Sequence, residues 1–366
     1  MTLTDIAPSK PAPAKAKTLL IDTDVHENLG SYLDLLPYLD PVWHRFIKNE
    51  GSRWHGLIGS AYPMPINRAR PDWVLADGTY AVDPKAAAKH LFEDLGVTTA
   101  ILNGFFHVTR LEHDYEFAQA MARAYNDWQI DRWLSTDKRF RGSVHIVMHD
   151  PIAAAKEIDR VAKNPQIVQV FIPTYPNRQY GDPMYRPIYE AAVRNGLALT
   201  LHHGSETPTI LGYPRYFIEW HTLASPQAHM GQLSSLLFNG TFDAFPDLKL
   251  VILESDVGWL PWLTKRMDQH YRELRSNVPW LKHKPSHYVR NNVRFSTQPL
   301  NDITAVEFAE MIEKHGLEDV YMFSTDYPHW DSEGPEVIQA LPEALRNRVR
   351  YQNALATFPR LADLKS

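Results

Sequence analysis

The chain has 366 residues, 44% hydrophobic and 22% charged, with a formal net charge of -5 and no cysteine. This is an ordinary globular composition, long enough for a large core. It excludes disulfides, thiolate metal sites and cysteine nucleophiles, and it offers no basic domain to grip a phosphate backbone. The first 17 residues, MTLTDIAPSKPAPAKAK, hold no apolar stretch before a cleavage site and read as a disordered arm. No apolar run approaches the roughly 18 residues of a bilayer span. The expected location is the cytoplasm. The expected partners are a small-molecule substrate and further copies of the chain, with neither nucleic acid nor membrane.

Apolar, strand-like runs then alternate with helical stretches. The strands are predicted at 18–23, 98–103, 143–148, 167–172, 197–202, 248–253, 293–297 and 320–324. Nearly continuous apolar strands suit a parallel sheet covered on both faces. Asp83-Pro84, Asp150-Pro151, Asp182-Pro183 and Ser225-Pro226 each place a capping residue before a proline at the first helical position. Gly96, Gly196, Gly240 and Gly316 follow helical stretches as C-caps. Eight strand–helix alternations predict one distorted (β/α)8 barrel over 18–366, with a doubly wound open sheet as the alternative. Residues 27–82 interrupt the alternation after the first strand. Their tryptophans, tyrosines and arginines read as a lid and substrate wall, or as a packing subdomain.

Four residues then fall at predicted strand ends. Asp24 and His26, in DTDVHE, are spaced i, i+2 and face the same side of an extended strand. His202 ends the fifth run in GLALTLHHGSE, and Asp326 follows the eighth in VYMFSTDYPHWD. In a barrel these ends share one rim, so the four residues predict a site for one divalent ion. Carboxylate and imidazole donors without sulfur suit Zn, Mn or Fe alike. His145 is placed in mid-strand and core-facing. His203 is a candidate for contact with substrate or with a metal ligand, and His329 for the pocket rim, with a structural histidine the equal alternative for each. Arg178, in PTYPNRQYG, is a candidate partner for a substrate carboxylate, with an ordinary surface arginine as the slightly preferred alternative.

The strings DTDVHE, GLALTLHHG, FPDLKLVILES and FSTDYPHWD resemble the amidohydrolase superfamily. The similarity lies with the amidohydrolase-2 branch, which includes relatives of aminocarboxymuconate-semialdehyde decarboxylase, and it runs from about residue 18 to about residue 360. The resemblance implies a distorted TIM barrel, one divalent metal, and hydrolysis or non-oxidative C–C cleavage. It further implies that Asp24, His26 and His202 bind the metal, with Asp326 touching it or taking a proton from metal-bound water. Two departures stand out. Asp24 replaces the first imidazole of the family's His-x-His. The sixth strand ends Leu253-Glu254-Ser255-Asp256, with serine where many relatives carry a histidine that handles the substrate proton. That departure favours a hydrolase acting through metal-activated water on an amide, ester, lactone or activated C–C bond. Glu254 then takes part of the missing role or orients its neighbours. The alternatives are a decarboxylase of an aromatic or unsaturated acid and a non-catalytic ligand-binding barrel.

Overall fold

A computed structural model describes residues 19–48, 69–104, 115–174, 178–203 and 215–365. Eight parallel strands follow one another in chain order: β1 (Ile21–Val25), β2 (Thr99–Leu102), β3 (Phe140–His145), β4 (Ile167–Pro173), β5 (Ala198–His202), β6 (Leu250–Ile252), β7 (Val293–Ser296) and β8 (Tyr321–Met322). The last strand returns to the first. Thr23 N–H donates to the Phe323 carbonyl at 3.1 Å, and Val25 and Tyr327 form a parallel bridge. The sheet is therefore a distorted (β/α)8 barrel, as the alternation predicts, and not an open sheet.

Two strands are shifted along the chain from expectation, and β6 and β8 are shorter than predicted. β1 extends to Val25 because both its edges pair there, with β2 and with the segment after β8. β3 begins at Phe140 because a turn at Asp137 ends the preceding helix, with Phe140 N–H bonding the Asp137 carbonyl at 3.2 Å. His145 consequently ends β3 instead of lying within it. Asp83, Asp150 and Asp182 cap their helices as expected, each accepting from backbone N–H groups. Ser225-Pro226 does not cap. It lies inside the helix Phe217–Phe238, and Ser225 Oγ donates instead to the Glu254 carbonyl at 2.7 Å. The four glycines proposed as C-caps all have positive φ.

The barrel interior is layered. At its base Ile21, Ile101, Val168, Ala198, Val251 and Met322 pack with Ala354, Phe358 and Leu361 from the C-terminal helices. Arg360 ties those helices to the strands, donating to the carbonyls of Ala162, Asn164, Ile167 and Asn195. Above this plug lies a fully buried polar layer. Thr200 Oγ1 donates to Gln169 Oε1 at 2.6 Å, Gln169 Nε2 to Ser143 Oγ at 2.9 Å, and Ser143 Oγ to Asn103 Oδ1 at 3.0 Å. Each polar group finds a partner, as burial demands. The chain of bonds leads upward to Asp24.

Part of the 27–82 insertion is described. Its described end, from residue 69, packs on the loop after β8: Arg70 N–H bonds the Pro328 carbonyl at 2.9 Å, and the Trp73 ring lies 4.7 Å from that of Tyr327. Residues 49–68, where much of the lid reading falls, lie outside the described residues, as does the 1–17 arm. Among the described residues, no helix is long and apolar enough to cross a membrane.

Candidate metal centre

The C-terminal ends of β1, β5, β6 and β8 converge on a buried cluster of imidazoles and carboxylates. His26 Nε2 lies 3.2 Å from Asp24 Oδ1 and 2.9 Å from Asp326 Oδ1. His202 Nε2 lies 3.9 Å from Asp24 Oδ2 and 3.1 Å from Glu254 Oε2. The structure thus brings together all four residues that the strand ends single out, and Glu254 with them. Local geometry fixes their aim. The i, i+2 spacing on β1 sends Asp24 and His26 to one side. Asn103 Nδ2 holds Asp24 Oδ1 at 2.9 Å from the polar layer below. Asp326 N–H bonds the Asp24 carbonyl at 3.1 Å, which locks the two strand ends together. His202 Nδ1 lies 2.5 Å from the His203 carbonyl, so its Nε2 is the nitrogen turned inward.

Glu254 and Asp326 both adopt left-handed backbone, with φ of 44° and 58°. That conformation is costly for residues other than glycine and gathers where a side chain must be aimed at a site. Asp326 is further supported from below: Asp22, on β1, accepts from Thr325 N–H at 3.0 Å and Thr325 Oγ1 at 2.6 Å.

The carboxylates are pulled in opposite directions. Burial, followed by the negative charges of Glu254, Asp331, Asp24 and Asp22, holds the Asp326 carboxyl well above its ordinary range. For Glu254 burial works the same way, but His203, His202 and His221 outweigh it and keep the group ionised. For Asp24 burial is likewise outweighed, here by His26. His26 shifts upward because Asp24 overcomes the cost of burying its charge.

The other candidates divide. His203 turns inward: its Nε2 is 3.6 Å from Glu254 Oε1, and its ring stacks on His202 at 5.0 Å. Burial drives it well below its usual pKa. His329 also joins, with Nδ1 2.8 Å from Asp326 Oδ1 and its ring stacked on His26 at 4.6 Å. Burial and then His26 push it down to about 3. Arg178 does not join. Its side chain is exposed and pairs with Asp182 at 3.0 Å, a helical-turn neighbour that satisfies it locally. His145, at the end of β3, is buried against Tyr125 and Phe171 and pushed down to about 3 by burial and then by His26.

Several members were not singled out from sequence. Asn103 follows β2 and Glu27 follows His26; Glu27 accepts from Tyr125 Oη at 3.0 Å, and burial lifts it to about 7. His221 and Asp331 face Glu254 from the outer side. Glu27 and Asp331 lie inside the strings DTDVHE and FSTDYPHWD, so proximity to the motif was the available signal. His221 lies within a helix and carried none.

The fold and site define a class. The amidohydrolase family's sequence profile matches residues 59–360, and the chain belongs to that family. Among curated proteins it is similar to a gamma-resorcylate decarboxylase from Polaromonas sp. (strain JS666 / ATCC BAA-500), 25% identical over 251 residues covering 65% of this chain and 75% of the relative. A second gamma-resorcylate decarboxylase, from Rhodococcus jostii (strain RHA1), is 24% identical over 73% of this chain and 85% of its own. Among solved structures, the 5-carboxyvanillate decarboxylase from Sphingomonas paucimobilis superposes with a TM-score of 0.71 at 22% identity, over 93% of this chain and 99% of the other. The dihydroxybenzoic acid decarboxylase from Polaromonas sp. JS666, solved with manganese and 2-nitroresorcinol, gives 0.66 at 20% identity, over 93% and 97%.

These relatives overturn the hydrolase expectation, since those named are decarboxylases. Glu254, not Ser255, is the β6 side chain that stands among the histidines.

Proposed function

We propose that the protein is a metal-dependent, non-oxidative decarboxylase of an aromatic carboxylic acid, with one divalent ion held by Asp24, His26, His202 and Asp326. The observation that carries this reading is the shared reaction of both curated relatives, matched over most of this chain. The residues present suit an ion. Asp24 Oδ2 and Asp326 Oδ2 are buried carboxylate oxygens without a hydrogen-bond partner. Asp24, His26 and His202 offer ligand atoms within 4.8 Å of one another. Manganese is the favoured metal, because a structural relative binds it and because nitrogen and oxygen donors accept it.

When bound, the ion supplies a Lewis-acidic contact for substrate oxygens and balances the carboxylate charge. The chain's own residues do the rest. Asp326 Oδ1 lies 2.8 Å from His329 Nδ1, where it is placed to take up a proton from the rim. It delivers that proton to the ring carbon that bears the carboxylate. The carbon–carboxylate bond breaks, its electron pair remains on the ring carbon to take the proton, and carbon dioxide leaves. His329 Nδ1, against Asp326 Oδ1 and partly exposed, returns a proton from the rim. Glu254, kept ionised, fixes His202 and His203.

The test combines elemental analysis with turnover in D₂O. The reading expects metal close to one equivalent, carbon dioxide released from a hydroxybenzoate, and one deuterium at the vacated ring position. His202→Ala is expected to lose metal while keeping its melting temperature. A hydroxybenzoate panel that yields no carbon dioxide from the metal-loaded protein would sink the reading.

A further inference from the structure

The reaction above draws on residues from β1, β5, β6 and β8 and leaves the β3–β4 side of the mouth unused. On that side Ser143 pairs in register with Gln169, and His145 with Phe171. The first pair belongs to the buried polar layer. Side chains two residues apart on a strand share a face. The second pair therefore points into the barrel one layer higher, where His202 stands two residues beyond Thr200. Ring contacts agree with the spacing: the Phe171 ring lies 4.9 Å from that of His145 and 5.6 Å from that of His202. Val170 and Ile172 point the other way and are fully buried, whereas Phe171 between them is partly exposed. An inward side chain above a filled polar layer meets open space only at the mouth. The uncovered part of this ring therefore fronts the space beside the proposed metal ligands. Neither β3 nor β4 carries a carboxylate, while Glu254, Asp326 and Asp331 stand on the other side.

We infer that Phe171 is a specificity-determining wall: the ring of the substrate lies against it, and its bulk excludes a second, fused ring on that side. This rests on the decarboxylase reading for the aromatic acid and for the ion. The argument is one of charge and shape. An ion held by Asp24, His26, His202 and Asp326 fixes the polar end of the substrate next to His202, and the ring must extend from there. Toward Glu254 and Asp331 an anionic substrate meets like charge. Toward Phe171 it meets an apolar aromatic face, against which a second ring pairs offset or edge to face. Phe171 cannot swing aside to admit more. His202 flanks its ring on one side and His145 on the other, and His145 is itself backed by the Tyr125 ring at 4.8 Å. In a close-packed layer a fused ring meets a fixed surface, not a yielding one.

The experiment is calorimetric binding to the metal-loaded protein of nitrophenols, in which a nitro group takes the place of the carboxylate and cannot leave. The one-ring probe is 2-nitrophenol. The fused-ring probes are 1-nitro-2-naphthol, 2-nitro-1-naphthol and 3-nitro-2-naphthol, which carry the second ring on three different edges. At least one naphthol is expected to bind wild-type protein about tenfold or more weakly than 2-nitrophenol, the scale on which a hydrophobic pocket discriminates. For that naphthol the ratio is expected to fall to about twofold or less in Phe171→Ala, with Phe171→Leu between the two. It is expected to persist in Trp330→Ala, which removes a 47% exposed ring from beside His221 on the other side of the mouth. Wild-type protein that binds no 2-nitrophenol, or binds all three naphthols as tightly, overturns the inference. So does a ratio that survives both Phe171 substitutions, or one that collapses in Trp330→Ala instead. Carbon dioxide release from a hydroxybenzoate panel is measured in parallel. Release with a surviving ratio defeats the wall and leaves the decarboxylase. A Phe171-dependent ratio without release defeats the decarboxylase and leaves the wall.

Discussion

The base and the mouth of this barrel are built from the same strands, a few residues apart, yet they obey opposite rules. Ile21 lies in the apolar plug and Asp24, three positions on, in the cluster of imidazoles and carboxylates; Val251 and Glu254 repeat the relation at the sixth strand. At the base, burial is favourable by itself, because every side chain is apolar and the C-terminal helices exclude water. At the mouth, burial is unfavourable by itself. It raises Asp326 and depresses His203 and His329, and it is tolerated through mutual pairing of opposite charges. The polar layer of Thr200, Gln169, Ser143 and Asn103 separates the two regimes. Stability and chemistry are thus stacked along one axis, and each should respond to substitution without the other.

The sharpest way to break this separation is Asp326→Asn. Asparagine keeps the size and one acceptor oxygen but carries no transferable proton. Loss of a general acid costs about 10²–10⁴-fold in rate. Turnover is expected to fall on that scale while the unfolding midpoint in urea stays near wild type. Wild-type turnover would show that another group carries the proton. A large drop in midpoint would show that the mouth supports the fold.

The same contrast explains what the sequence revealed. The barrel was legible because its strands are continuous apolar runs, and Asp24, His26, His202 and Asp326 were legible because they interrupt those runs at matching ends. Glu254 was singled out as a proton-handling group or an orienter of its neighbours, though not as the side chain that enters the cluster. One residue of register at the end of β6 decides which side chain enters the site, and apolar periodicity does not fix that where the strand ends in left-handed backbone. His221 was invisible because it comes from a helix that crosses the mouth, and its place depends on tertiary packing. Arg178 was left open between substrate and surface because a guanidinium near a strand end looks alike whether it meets substrate or, as here, a carboxylate four residues on.

Phe358→Ala tests the base. The ring is fully buried among Ile21, Val168, Val251 and Met322. Its removal is expected to cost about 3–5 kcal/mol through lost burial and the cavity left behind. Equilibrium unfolding measures this directly. Activity and metal content per folded molecule should remain at wild-type levels well below the new melting temperature. If metal is lost while the protein is still folded, base and mouth are coupled.

The smallest effect is expected at the boundary, in Asn103→Ala. Asn103 Nδ2 donates to Asp24 Oδ1 and to the Thr23 carbonyl, each at 2.9 Å, while its Oδ1 accepts from Ser143 Oγ. It touches neither the plug nor the proposed proton donor, so its work is to orient Asp24. Partners that orient a metal ligand are worth about 10–100-fold in metal affinity. A competition titration against a chelator is expected to show weakening of that size. A secondary loss of about 1–3 kcal/mol in stability is expected as well, from the buried Gln169 Nε2–H that loses its Asn103 acceptor. The two readouts separate by rescue. Asn103→Gln reaches differently but keeps both donor and acceptor, and should recover stability before it recovers affinity, because the polar layer tolerates displacement and Asp24 does not. Equal recovery of both would mean that the layer and the site form one unit, and that the boundary lies lower in the barrel.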